Sequence, residues 1–244
     1  NTGLGRNALG DNTTADNNTA VGYNSMAANT TGIGNVSVGK SALAANTTAN
    51  NNVAVGTQTL ETNTTGTQNT ALGNYALNNS TTASNNTAVG YSALIQNTTG
   101  HSNVAVGSLA LDANTTGVAN TAMGYGALST NTTSSNNTAV GYNSMTDTTG
   151  AHNTAIGQSA AKETTSGVNN TAVGSQALLK NTTGGYNVAV GQSSLDANTT
   201  GGSNVAVGWS SLSANTTAAN NVAVGDNSMA ANTTGTRNVA MGAL

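Results

Sequence analysis

Residues 18–26 read Asn-Thr-Ala-Val-Gly-Tyr-Asn-Ser-Met, and the same run returns unchanged at 137–145. Near copies fill the chain on either side. The glycine inside the phrase belongs to a series: Gly5, Gly22, Gly39, Gly56, Gly73, Gly90, Gly107, Gly124, Gly141, Gly157, Gly174, Gly191, Gly208, Gly225 and Gly242. The step is 17 residues throughout, except for 16 between Gly141 and Gly157. Similarity at a fixed short period marks a solenoid, and 17 residues are too few for a helical hairpin, so each repeat should form one β-coil.

The expected fold is therefore all-β, a parallel β-solenoid or β-roll with one 17-residue coil per repeat. About fifteen coils would stack into a rod of roughly 70 Å at the interstrand rise. Residues 1–244 read as a single repeat solenoid, a segment of a longer fibrous protein without caps of its own. A bare solenoid end exposes a sticky sheet edge, so caps, flanking domains or end-to-end stacking are expected to cover it.

Composition supports this over an ordinary globular domain. Only 5% of residues are charged and 3% aromatic, with no Pro, Cys or Phe. So few large side chains cannot fill a thick core, and burial must come from many small identical contacts. The five cations, Arg6, Lys40, Lys162, Lys180 and Arg237, never cluster, and the formal charge is −3. That balance gives no electrostatic footprint for nucleic acid. Lack of cysteine removes disulfides, thiol catalysis and cysteine metal sites. No apolar run is long enough to span a bilayer as a helix, so no membrane contact is expected within this segment.

Each position of the repeat asks for a particular chemistry. Four residues before every corner glycine stands Asn, as at Asn18, Asn35, Asn52, Asn69, Asn86 and Asn103. Identical amides stacked about 4.8 Å apart can hydrogen-bond along the stack, so a buried Asn column satisfies itself. Thr or Val, then a small residue, then Val, Leu, Ile or Met lead to the glycine, a short strand ending at a corner such as Gly22, Gly39 or Gly56. The Val column is expected to share the core with the Leu or Met column four residues after the glycine, as at Leu43 and Leu94. The Ala column should then lie on the opposite, outer strand face. Asn-Thr-Thr follows, with Thr30, Thr47 and Thr64 expected to form a second ladder in a third strand or an ordered turn. Ser80, Asp147 and Thr164 depart from its leading Asn.

Chemistry-bearing constellations are sparse. His101 and His152 fall three coils apart, roughly 14 Å at the interstrand rise, too far for a shared metal. No carboxylate pair recurs at a spacing suited to glycoside hydrolysis, and no phosphate-binding glycine loop is present. We read no catalytic, metal or cofactor site and no enzyme. Tyr23, Tyr91, Tyr125, Tyr142 and Trp209 stand directly after the corner glycine; rings in one exposed column can stack on sugars or on a protein surface, or are there because a sheet edge tolerates aromatic residues well. Asn-Thr-Thr and Asn-Asn-Thr also match the N-glycosylation acceptor, but glycans on every coil would crowd, so structural ladders explain the motif better. Where Ala161 replaces the core Leu, near Lys162, Glu163 and Lys180, the expectation is a tolerated defect bearing solvated charges, with a local kink or a docking point as the alternative.

Asn-Thr/Val-Ala-Val-Gly followed by Ala-Leu resembles the head repeats of trimeric autotransporter adhesins, the YadA-like family. It is equally similar to the repeat shafts of bacteriophage tail fibres. The resemblance covers the whole chain. It implies that three chains, each a left-handed parallel β-roll, pack around a three-fold axis and bind host surfaces or matrix. The expected function is thus a structural and adhesive fibre segment, extracellular, on a bacterial cell surface or a virion tail fibre. Its partners would be two further copies of the chain, with a surface receptor or glycan. The alternatives are an ice-binding solenoid using its Thr ladder and a self-assembling extracellular filament subunit.

Overall fold

The computed structural model describes residues 1–243 as an all-β parallel solenoid in which every strand is three residues long and no helix occurs among the described residues. Two compact units divide the chain, residues 1–120 and 121–244. In the first, β1 (Thr2–Leu4), β2 (Thr19–Val21), β3 (Val36–Val38), β4 (Val53–Val55), β5 (Thr70–Leu72), β6 (Thr87–Val89) and β7 (Val104–Val106) pair in sequence order. In the second, β8 (Thr121–Met123), β9 (Thr138–Val140), β10 (Thr154–Ile156), β11 (Thr171–Val173), β12 (Val188–Val190), β13 (Val205–Val207), β14 (Val222–Val224) and β15 (Val239–Met241) do the same. Register is strict: Thr19 faces Val36, Ala20 faces Ser37 and Val21 faces Val38.

The middle residue of each strand points inward. Ala20, Ala54, Ala71, Ala88 and Ala105 are fully buried, while their flanking Val and Thr residues are half-buried or exposed. This reverses the expected faces, because the Ala column lines the core and the Val column does not. The reason is the twofold period of a strand: the buried Asn and the corner glycine lie two residues either side of Ala, so all three share one face. The coil is also narrow, and the Leu or Met column (Met26, Leu43, Leu60, Leu77, Leu94, Leu111) fills the space opposite, leaving room for a methyl group only.

Four residues per coil adopt left-handed backbone, which bends so short a chain into a closed turn. In the second coil these are Gly22 (φ 133°), Asn24 (φ 53°), Met26 (φ 49°) and Gly34 (φ 69°). Asn tolerates this region better than most residues, which accounts for Asn7, Asn24, Asn143 and Asn227 two places after the corner. It also accounts for Asn17, Asn51, Asn85, Asn136, Asn169 and Asn220 just before the leading Asn. For the core Leu and Met residues the strain, about 1–2 kcal/mol, is offset by burial of the side chain, about 1.5–3 kcal/mol.

Two Asn ladders run through the interior. Asn35 donates its backbone N–H to Asn18 Oδ1 at 2.9 Å and its Nδ2 to the Ala49 carbonyl at 2.8 Å. The amide thereby ties its own coil across fourteen residues and caps a main-chain donor of the next level. Asn46 of the Asn-Thr-Thr segment donates Nδ2 to Asn29 Oδ1 at 2.8 Å and to the same Ala49 carbonyl at 3.2 Å. The segment is an ordered turn, not a third strand. Thr30, Thr47 and Thr64 send their hydroxyls to the carbonyl of the Thr one coil on, at 3.0, 3.3 and 3.1 Å.

The short repeat corrects one expectation. Asp147 does not stand in the Asn column; Thr148 does, fully buried, with Asp147 one place earlier and half-buried. The residue dropped is the exposed second Thr, since Thr149 and Gly150 both bond the Thr165 carbonyl, as Thr30, Thr31 and Gly32 bond that of Thr47. Thr148 and Thr164, at successive levels, bury hydroxyls that have no hydrogen-bond partner.

Corner geometry yields opposite expectations for two changes. A Cβ at Gly73 would lie 2.5 Å from the Gly90 carbonyl oxygen at a φ of 127°. Gly73→Ala should therefore cost at least about 3 kcal/mol in denaturant titration. Exposed Gln68 has φ 60°, so Gln68→Gly should cost nothing or stabilise by up to about 1 kcal/mol, against the usual penalty for glycine.

Candidate functional site

The strand face turned away from the core is the most uniform surface of the molecule. Its two ranks hold Thr or Val before the inward residue and Val, Leu, Ile or Met after it, with no charged or amide side chain at any level. The ranks lie about 7 Å apart along the strand, and successive levels about 4.8 Å apart. Seven levels in one unit and eight in the other give each a stripe of roughly 200–300 Å² projected area. Leu72, Met123 and Ile156 are 48%, 43% and 42% exposed, bare for side chains of their size. Sequence reasoning missed this face by turning the Val column inward, although the buried Asn two residues before each Ala carried the signal.

The aromatic column is exposed as expected, at 45–55% for Tyr23, Tyr91, Tyr125, Tyr142 and Trp209. It is not a continuous platform. Tyr125 and Tyr142, on adjacent coils, stack with ring centres 5.6 Å apart and planes 15° apart. Tyr91 instead meets Tyr75, one place off the column, edge to face at 5.9 Å. Tyr23 lies under the Arg6 guanidinium at 5.9 Å, and Trp209 falls between the levels of Gln192 and Asp226. Among the described residues the structure thus brings together two pairs of rings and leaves Tyr23 and Trp209 without a ring neighbour.

Asn29, Asn46, Asn63 and Asn97 of the Asn-Thr-Thr motif are completely buried, as a structural ladder requires and a glycan acceptor does not allow. The second Thr of the motif, as at Thr31, Thr48 and Thr65, forms one exposed rank.

Arg6, Lys40 and Asp226 stand directly after the corner, and most other charges occupy the columns five and six residues after it. Glu61 accepts from Gln58 Nε2 at 2.8 Å and Asn78 Nδ2 at 3.1 Å. In the second unit Asp147, Lys162, Glu163, Lys180 and Asp196 occupy successive levels of these columns. Burial raises the pKa of Asp196, opposed by backbone hydrogen bonds and by Lys180 nearby. Burial likewise raises that of Asp112, against its own backbone N–H and that of Ala113, and one carboxylate oxygen has no hydrogen-bond partner. Among the described residues no group of three His, Cys, Asp or Glu side chains is placed to hold a metal ion.

No family model, curated protein or solved structure matches the chain.

A raised carboxyl pKa fixes the sign of a pH effect. Asp112 ionised at neutral pH is a cost to the fold; as pH falls through its raised value toward the ordinary 3.8, the folded state takes up the proton first and that cost disappears. Asp112→Asn should therefore melt above the parent at about pH 7, with the gap closing toward about pH 4. A gap that does not change with pH would assign the effect to something other than charge burial.

Proposed function

We propose that the chain is a structural and adhesive fibre segment whose copies associate side by side through the Thr/Val-Ala-Val strand face. The observation that carries this reading is the separation of surfaces. The uncharged stripe continues through every level of each unit, while all charged and all aromatic side chains stand in other columns. Burying about 250 Å² per unit at ~25 cal/mol per Å² contributes roughly 6 kcal/mol. That is comparable to the cost of associating two chains, so many levels are needed and a long repetitive face is a sensible solution.

Three copies in parallel register, as the resemblance to YadA-like heads and tail-fibre shafts implies, would close the stripe around an axis. The Tyr125–Tyr142 and Tyr75–Tyr91 pairs and the charged columns would then face outward to meet a host surface, a receptor or a glycan. An extracellular place, on a bacterial cell or a virion tail, follows from that role. The role is scaffolding and binding, without a catalytic step.

A second reading draws on the same face. Thr121, Thr138, Thr154 and Thr171 form four successive levels of an outward Thr rank beside a parallel aliphatic rank, the two-rank arrangement that an ice-binding surface requires. The variation among Met123, Val140, Ile156 and Val173 in the second rank favours packing against a protein over matching a lattice.

Light scattering on the full chain distinguishes these. A particle of about three times 23.8 kDa is expected, and Val205→Lys with Val207→Lys should dissociate it while the β-sheet circular dichroism is retained. A parent that stays a dispersed monomer and shapes ice would support the second reading. Filaments growing end to end would instead identify a self-assembling fibre subunit.

A further inference from the structure

We propose that one buried water molecule takes the place of a missing amide in the Asn-Thr-Thr ladder at Ser80. In this column an Asn with an Asn on either side makes three kinds of hydrogen bond, seen at Asn46: Nδ2 donates to Asn29 Oδ1 and to the carbonyl three residues on, Ala49, and the next Asn donates to Oδ1. Ser80, also fully buried, is too short for any of them. Its hydroxyl has no hydrogen-bond partner, and neither has Asn63 Oδ1 one level away, whose donor would be an amide at residue 80.

The groups facing the gap keep the polarity of the lost side chain. Asn63 Oδ1 is an acceptor. The Ala83 carbonyl accepts from Asn69 Nδ2 at 2.8 Å, whereas its counterpart Ala49 accepts from both Asn35 and Asn46. Asn97 Nδ2 donates to the Gly100 carbonyl at 2.9 Å and has a second proton to give in the direction of residue 80. A water there donates to Asn63 Oδ1 and Ala83 O and accepts from Asn97 Nδ2 and the Ser80 hydroxyl, which gives it four partners. Serine has two heavy atoms fewer than asparagine, on the order of one water's share of liquid volume, ~30 Å³. Thr148 and Thr164 do not offer this, because threonine lacks only one heavy atom relative to asparagine and fills the remainder with a methyl group.

The water connects the two parts of a ladder that the serine would otherwise interrupt, and Ser80 is a position at which solvent is part of the fold. A crystal structure of the full chain at atomic resolution should show density within hydrogen-bonding distance of Asn63 Oδ1, Ala83 O, Asn97 Nδ2 and Ser80 Oγ. Oxygen-17 magnetic relaxation dispersion should count one long-lived water fewer in Ser80→Asn than in the parent, with a higher melting temperature. Ser80→Ala, which keeps the other three groups, should retain the water. No density at the site, with Asn63 turned to another partner, would overturn the proposal, as would an unchanged water count in Ser80→Asn.

Discussion

The side-chain amide of the leading asparagine is the interaction on which the rest of the structure depends. Its carbonyl accepts a main-chain N–H from the next level, and its nitrogen reaches fourteen residues along the same coil to a buried carbonyl. One residue type thus closes each turn and joins it to the next. The chain can do without a thick hydrophobic core because the buried polar groups are paired by copies of themselves, at a spacing set by the β-sheet. A column of this kind requires the same residue at every level, which explains why the phrase at 18–26 recurs throughout the chain.

The same constraint shapes the surface. A strand of three residues with its ends fixed by an inward Asn and a corner glycine can turn only its central side chain inward, and the narrow coil limits that residue to Gly, Ala or Ser. The two remaining side chains must face out, and β-branched residues suit the strand, so an apolar stripe follows from the way each coil closes. The proposed lateral association makes use of a face that the coil cannot avoid making. Charges and rings are confined to columns where no neighbouring copy imposes its identity.

Much of this was legible in the residues. The 17-residue period gave the coil, the Asn at each start gave a buried ladder, and the Leu or Met column gave the core, all because one-dimensional stacking writes each structural role as a repeated letter. Less legible was the direction of Val21 and its equivalents, since hydrophobicity alone argues inward and only the twofold alternation from buried Asn18 through Ala20 decides otherwise. The repeated letters also do not announce that left-handed backbone selects asparagine at Asn17 and Asn24. The 16-residue repeat was misread at Asp147 because a sequence comparison aligns letters, while the fold keeps the buried column in step and drops the exposed second Thr. Pairing of Tyr125 with Tyr142, and of Tyr75 with Tyr91, depends on which levels carry rings, and the column alone overstated their continuity.

The most direct test of the central claim is the unfolding free energy of Asn187→Ala measured beside Val188→Ala. Asn187 donates Nδ2 to Gly201 O at 2.9 Å and accepts from the backbone N–H of Asn204 at 3.0 Å, while neighbouring Val188 lies on the outward face. Loss of the amide leaves a buried N–H without its acceptor and a hole in the core, so the Asn variant should lose about 2–4 kcal/mol. The Val variant should lose less than about 1 kcal/mol when the chains are dissociated. An Asn187→Ala variant within about 0.5 kcal/mol of the parent would contradict the account.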